Sequence, residues 1–140
     1  MTYLSEALRR QVVMRAGRIC EYCLLPESAK LFAFEVDHII SEKHRGETNA
    51  DNLCLSCLDC NRYKGSDIAS LDPESGVLVR LFNPRHDVWH DHFKLDGARI
   101  EGLTPEGRVT VFLLRLNAVE RVSEGALLIE AGVYPPQREA

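Results

Sequence analysis

Apolar residues along this 140-residue chain change their spacing several times, and each change marks an element. After Ser5, the residues Leu8, Val12 and Ala16 recur at helical spacing and Gly17 follows, which predicts a helix capped by the serine and stopped by the glycine. "LFAFEVDHII" is instead dense in aromatic and β-branched residues, and predicts a strand ending near His38. A polar loop from Ser41 to Asp51 separates it from "NLCLS", a short second strand. The segment from about Leu58 to Asp67 then predicts a helix that carries Cys60, Asn61, Arg62 and Lys64. Farther on, "DPESG" reads as a turn and "VLVRLFNP" as a third strand stopped by Pro84. "HFKLDGARIEGL" predicts a hairpin bent at Asp96 and Gly97. Thr104, Pro105 and Glu106 supply the cap, first position and acidic first turn of a helix that faces Val109, Phe112, Leu113 and Leu116 to the core. The tail "ALLIEAGVYPPQREA" adds one short helix before Pro135 and Pro136. No repeat or linker interrupts the chain, so residues 1–140 read as a single α+β domain.

Composition narrows the class. With 45% hydrophobic residues the chain can bury a core of its own. No apolar run approaches the roughly 20 residues needed to cross a bilayer, and "MTYLSEALRRQVV" lacks the apolar stretch of a signal peptide. A cytoplasmic protein with no membrane attachment is expected. The net charge of −4 denies the chain a bulk positive field for nucleic acid, so any basic footprint is local.

Five cysteines without a secretion signal point to metal or reactivity rather than disulfides. Cys20 and Cys23 form one C-x-x-C and Cys57 and Cys60 another, which together supply four thiolates for a closed tetrahedral zinc site. Cys54 makes an overlapping C-x-x-C with Cys57, but it falls in the alternating "NLCLS" and reads as a small buried thiol in a strand. The rival reading, a redox dithiol, needs a surrounding βαβ pattern that is absent.

Two strands and a helix flanked by the cysteine pairs bring Asp37, His38, Asn52 and Asn61 into reach of one another. Neighbours on a strand point to opposite faces, so Asp37 and His38 divide their work. A carboxylate from Asp37 and an amide oxygen from Asn61 suit Mg²⁺ or Mn²⁺, while His38 takes a proton from water. Taken alone, an Asp-His pair at a strand end is more often a turn-forming Asp beside a surface His.

"CEYC", "FEVDHII" and "NLCLSCLDCNRYKG" together resemble the HNH endonuclease motif in its zinc-stapled form. The resemblance implies a ββα-metal core over about 15–67, stapled by the four-cysteine zinc site, with an N-terminal helix and a strand and helix extension over about 68–140. It implies His38 as general base, Asp37 and Asn61 as ligands of the catalytic cation, and Asn52 as the residue that orients the loop or the base. The chain reads His, Asn, Asn where the family name has His, Asn, His. The remaining stretches, "LFNPRHDVW", "HF" and "GLTPEGRVT", are similar to the tail of small stand-alone bacterial HNH proteins. The expected function is metal-dependent DNA phosphodiester hydrolysis. Two rivals stand beside it: a zinc-stabilised module that binds nucleic acid or protein without cutting, and a redox thiol protein.

Lys43 and Arg45 on the loop, Arg62 and Lys64 on the motif helix, and Arg15 and Arg18 before the first cysteine are expected to form a basic rim that holds phosphate. Twenty-one acidic residues dilute it, so little intrinsic sequence preference is expected, and a partner protein or special DNA structure is left to supply targeting. "NPRHDVWHDHF" crowds His86, His90 and His92; His90 and His92 would share a strand face as ligands do. The plainer reading is packing of Trp89 and Phe93, with His92 in a structural hydrogen bond.

Overall fold

Three antiparallel strand pairs, rather than one sheet, organise the chain. The computed structural model describes residues 3–137. Helix α1 (Glu6–Arg15) starts where Ser5 Oγ accepts the Leu8 amide at 3.1 Å, and it packs buried Val12 against the second strand. The chain bends through the first cysteine pair, closes a bridge between Ile19 and Pro26, and enters β1 (Glu35–His38). This strand pairs with β2 (Leu53–Ser56), and α2 (Leu58–Lys64) follows directly. The first strand is shorter than the apolar run that predicts it. Glu27 takes the Phe34 amide at 2.8 Å, and Leu31 and Phe32 stay exposed, so the ladder begins only at Glu35.

The remainder contains β3 (Ala69–Leu71), β4 (Leu78–Arg80), α3 (Trp89–His92), β5 (Phe93–Asp96), β6 (Arg99–Gly102), α4 (Pro105–Leu113) and α5 (Val119–Glu130). The expected strand after "DPESG" is β4, the expected hairpin is β5 and β6, and Thr104 caps α4 by accepting the Gly107 amide at 3.0 Å. Strand β3, which pairs with β4, has no counterpart in the sequence reading. Helix α5 starts earlier and runs longer than the tail predicts. Helix α4 buries Val109, and Leu116 just beyond it, as expected, but its buried face also takes Gly107 and Thr110, whereas Phe112 is 61% exposed. A methyl group at Gly107 would collide with the His92 carbonyl, so the smallest residue sets the contact face and the bulkiest is turned outward.

The extension shares one contiguous core with the N-terminal part. Phe82 stands edge-on to Tyr22 and to Phe93, with ring centroids 6.4 and 5.2 Å away. Truncating a buried Phe of this kind costs about 3–5 kcal/mol. Among the described residues no helix is long and apolar enough to cross a membrane.

Candidate active site

Helix α2 is built from its first residue around the cysteines. Cys57 is its N-cap, and its Sγ accepts the Cys60 amide at 3.4 Å. The sulfurs of Cys20, Cys23, Cys57 and Cys60 are buried and lie within 4.8 Å of one another, with Cys23 and Cys57 3.7 Å apart. Zn–S bonds of about 2.3 Å in a tetrahedron put sulfurs about 3.8 Å apart, so the set fits a zinc ion. Cys54 stands outside it: its thiol points to the Tyr22 hydroxyl at 3.7 Å, and burial pushes its pKa up to about 12. All five cysteines are buried, which removes the accessible thiolate that a redox role needs.

The extension closes this centre. Arg121 of α5 brings Nη2 to 3.1 Å from Cys60 Sγ and 3.8 Å from Cys57 Sγ. Four thiolates around a dication leave a net negative charge, which this guanidinium offsets. Three consecutive residues of the first cysteine turn are gripped as well. Glu21 accepts the Leu55 amide at 2.8 Å and pairs with Arg85, Trp89 Nε1 donates to the Tyr22 carbonyl at 2.9 Å, and the Tyr134 hydroxyl donates to the Cys23 carbonyl at 2.8 Å.

At the other end of the unit, β1 presents Asp37 opposite Cys54 and His38 opposite Leu53, on alternate faces. Asp37 Oδ2 is buried without a hydrogen-bond partner. Burial raises the Asp37 pKa, and the nearby Lys64 ammonium pulls it back. A buried carboxylate oxygen with no donor is costly unless a cation meets it, so this atom and its hard oxygen chemistry fit a divalent ion. Asn61 shares a helix face with Lys64, three residues on, and Lys64 Nζ donates to the His38 carbonyl at 3.2 Å. That face of α2 therefore looks onto the end of β1. The Asn61 amide is half-buried and has no side-chain partner among the described residues.

His38 Nε2 lies 2.8 Å from Thr48 Oγ1. The loop that carries Thr48 is held from both sides. Asn52 Oδ1 accepts the Ile40 amide at 3.0 Å, and its Nδ2 donates to the carbonyls of Ile40 and Glu47, each at 2.8 Å. From α1, Arg15 donates to the carbonyls of Ala50 and Leu53 at 2.9 and 2.8 Å. Gly46 sits so close beneath that a methyl there would strike the Ile40 carbonyl.

The expected basic rim is corrected at Lys64, and Arg15 and Arg18, both exposed, make contacts within the chain. Lys64 is 2% exposed and faces inward, because its ammonium serves the His38 carbonyl. Arg15 is spent on loop carbonyls, and Arg18 bonds Glu27 at 3.1 Å. Lys43, Arg45 and Arg62 remain exposed. The histidine-rich segment is also corrected: His90 and His92 lie on the short helix α3, not on a strand. His92 Nδ1 meets Thr104 Oγ1 at 2.6 Å and its ring stands edge-on to Phe82, a packing role, and no metal-type cluster forms there among the described residues. Sequence reasoning missed Thr48, Gly46 and Arg121. Only Gly46 carried a signal, as a glycine inside a polar loop.

Residues 20–67 match the family model described as HNH endonuclease. Over 112 residues the chain is 30% identical to the Septu protein PtuB of Bacillus thuringiensis, an overlap covering 79% of this chain and 40% of that protein. The chain therefore spans well under half the length of the curated relative it matches. No solved structure matches it.

Proposed function

We propose, taking residues 20–67 as an HNH endonuclease domain, that the chain is a DNA endonuclease that hydrolyses phosphodiester bonds with His38 as general base. The observation that carries the reading is the buried, unpartnered Asp37 oxygen beside a histidine whose loop is fixed by Asn52. With Nε2–H donating to Thr48, the His38 lone pair lies on Nδ1, where it takes the proton of the attacking water. Lys64 fixes the backbone at His38, so the ring is held at both its main chain and its far nitrogen. Asp37 and Asn61 are the residues that would hold Mg²⁺ or Mn²⁺. When bound, that cation stabilises charge on the scissile phosphate and on the leaving oxygen. Zinc at the four cysteines is structural, because every ligand position there is filled by protein.

Lys43, Arg45 and Arg62 supply phosphate contacts that hold a DNA backbone without reading its sequence. A protein partner that delivers the nuclease to its DNA fits this lack of a reading surface. The test is plasmid cleavage in metal-stripped buffer with Mg²⁺ or Mn²⁺ added back, run on the parent and on His38→Ala. Nicking or cutting that needs both the cation and His38 supports the reading. Folded, zinc-loaded parent protein that fails to cut with either ion would move the assignment to a binding module.

A further inference from the structure

Three arginines of the extension are matched to carboxylates: Arg80 bonds Asp87 at 2.7 Å, Arg108 bonds Asp72 at 2.9 Å, and Arg85 pairs with Glu21. Arg115 is not. It lies exposed in the turn between α4 and α5, at φ +50°, a backbone region that few non-glycine residues enter. Its guanidinium carbon is 5.0 Å from the centre of the Tyr63 ring, and the Arg62 guanidinium carbon is also 5.0 Å from that centre. Arg62 Nη2 further donates to the Tyr63 hydroxyl at 3.2 Å. Two exposed like charges are thus gathered on one aromatic ring, within about twice that distance of each other, and neither has a carboxylate partner among the described residues. Neither charge is neutralised within the described protein, and planar guanidinium forks are suited to phosphate.

We infer that Arg62, Tyr63 and Arg115 form a ledge that binds nucleic-acid phosphates flanking the scissile one, which makes the extension part of the substrate surface. This rests on the nuclease reading above. Position on the helix separates the ledge from the chemistry. At about 100° per residue, Arg62 is one step and Tyr63 two steps around α2 from Asn61, away from the face that meets His38. The ring fixes both arginines before substrate arrives, which lowers the ordering cost of the contact. In a chain of net charge −4, such a local pair also answers how phosphate is held against the overall field.

The experiment is fluorescence anisotropy of a labelled DNA duplex over a salt series without added divalent ion, with steady-state cleavage alongside. Variants are Arg115→Gln, Arg62→Gln, the double variant, and Arg10→Gln as an exposed arginine on α1, outside the ledge and the cavity that Arg115 lines. Each ledge variant is expected to lower the slope of log K against log salt by about 0.9, and the double by about twice that. Arg10→Gln should keep the parent slope and the parent cleavage rate. Parent-like slope and affinity for Arg115→Gln, or an equal loss for Arg10→Gln, would overturn the ledge while leaving the nuclease standing. Failure of the parent to bind or cut DNA would remove the nuclease reading itself, and the ledge with it.

Discussion

The cysteine centre and the Asp37 site sit at the two ends of one short helix, and they differ in how much the protein completes them. At the cysteines, four buried sulfurs face one another, Arg121 offsets their charge, and Tyr134, Trp89 and Arg85 grip the turn that carries them. At the other end, one Asp37 carboxylate oxygen is left without a donor and the Asn61 amide has no partner among the described residues. A finished site holds a metal for the fold, whereas an unfinished one leaves positions for water and substrate. The same helix thus commits its first turn to stability, and on the reading proposed above its next turn serves the catalytic cation.

The contrast can be broken at either end. The largest effect is expected from Cys57→Ser, which removes a metal ligand and the sulfur cap of α2 together: loss of bound zinc and of a cooperative melting transition, read by metal content and calorimetry. Cys54→Ser, only three residues away, should keep full zinc content. Next comes His38→Ala, with cleavage down about 10²- to 10⁴-fold and an unchanged melting temperature. Gly46→Ala should move the loop that carries Thr48 and lower the cleavage rate tenfold or so, with zinc retained. Arg121→Gln should release zinc to a chromophoric chelator several-fold faster at equal starting content, since it strips charge compensation and no ligand.

The smallest effect sharpens the comparison. Burial raises the Asp37 pKa, so the folded state holds that proton more tightly than the unfolded chain does. Its ionised form then opposes folding once the pH exceeds the unfolded value of about 3.9. Asp37→Asn should therefore raise the melting temperature of divalent-free protein at neutral pH by about 1–3 °C while abolishing cleavage, and the gain should vanish below about pH 4. A lower melting temperature at neutral pH would show that Asp37 is already satisfied without a cation.

Legibility in the sequence followed the range of the contacts. The cysteine register could be read because C-x-x-C spacing is local geometry, and choosing Cys57 and Cys60 over Cys54 needed only strand alternation. Asn52 fell where a loop returns to a strand, and its clamp spans only to Ile40 and Glu47. Charged residues were misread for the opposite reason. Lys and Arg are exposed so often that Lys64 and Arg15 read as a phosphate rim, and only the fold shows that their donors are spent on carbonyls 26 to 38 residues away. On α4, apolar counting chose Phe112 over Gly107, because the reading weighed hydrophobicity and the packing weighed how closely two backbones could approach.

The grip on Glu21, Tyr22 and Cys23 also sets a timetable. Their partners lie 64, 67 and 111 residues downstream. A ribosome adding 5–20 residues per second needs roughly 6 to 22 s to bring the Tyr134 clasp after Cys23 has emerged. Arg85 and Trp89 are made in the first two thirds of that interval, so until its end only the Cys23 carbonyl lacks its partner. The Tyr134 clasp is therefore the last of the three to form, and a translation product that stops short of Tyr134 carries the cysteine turn without it.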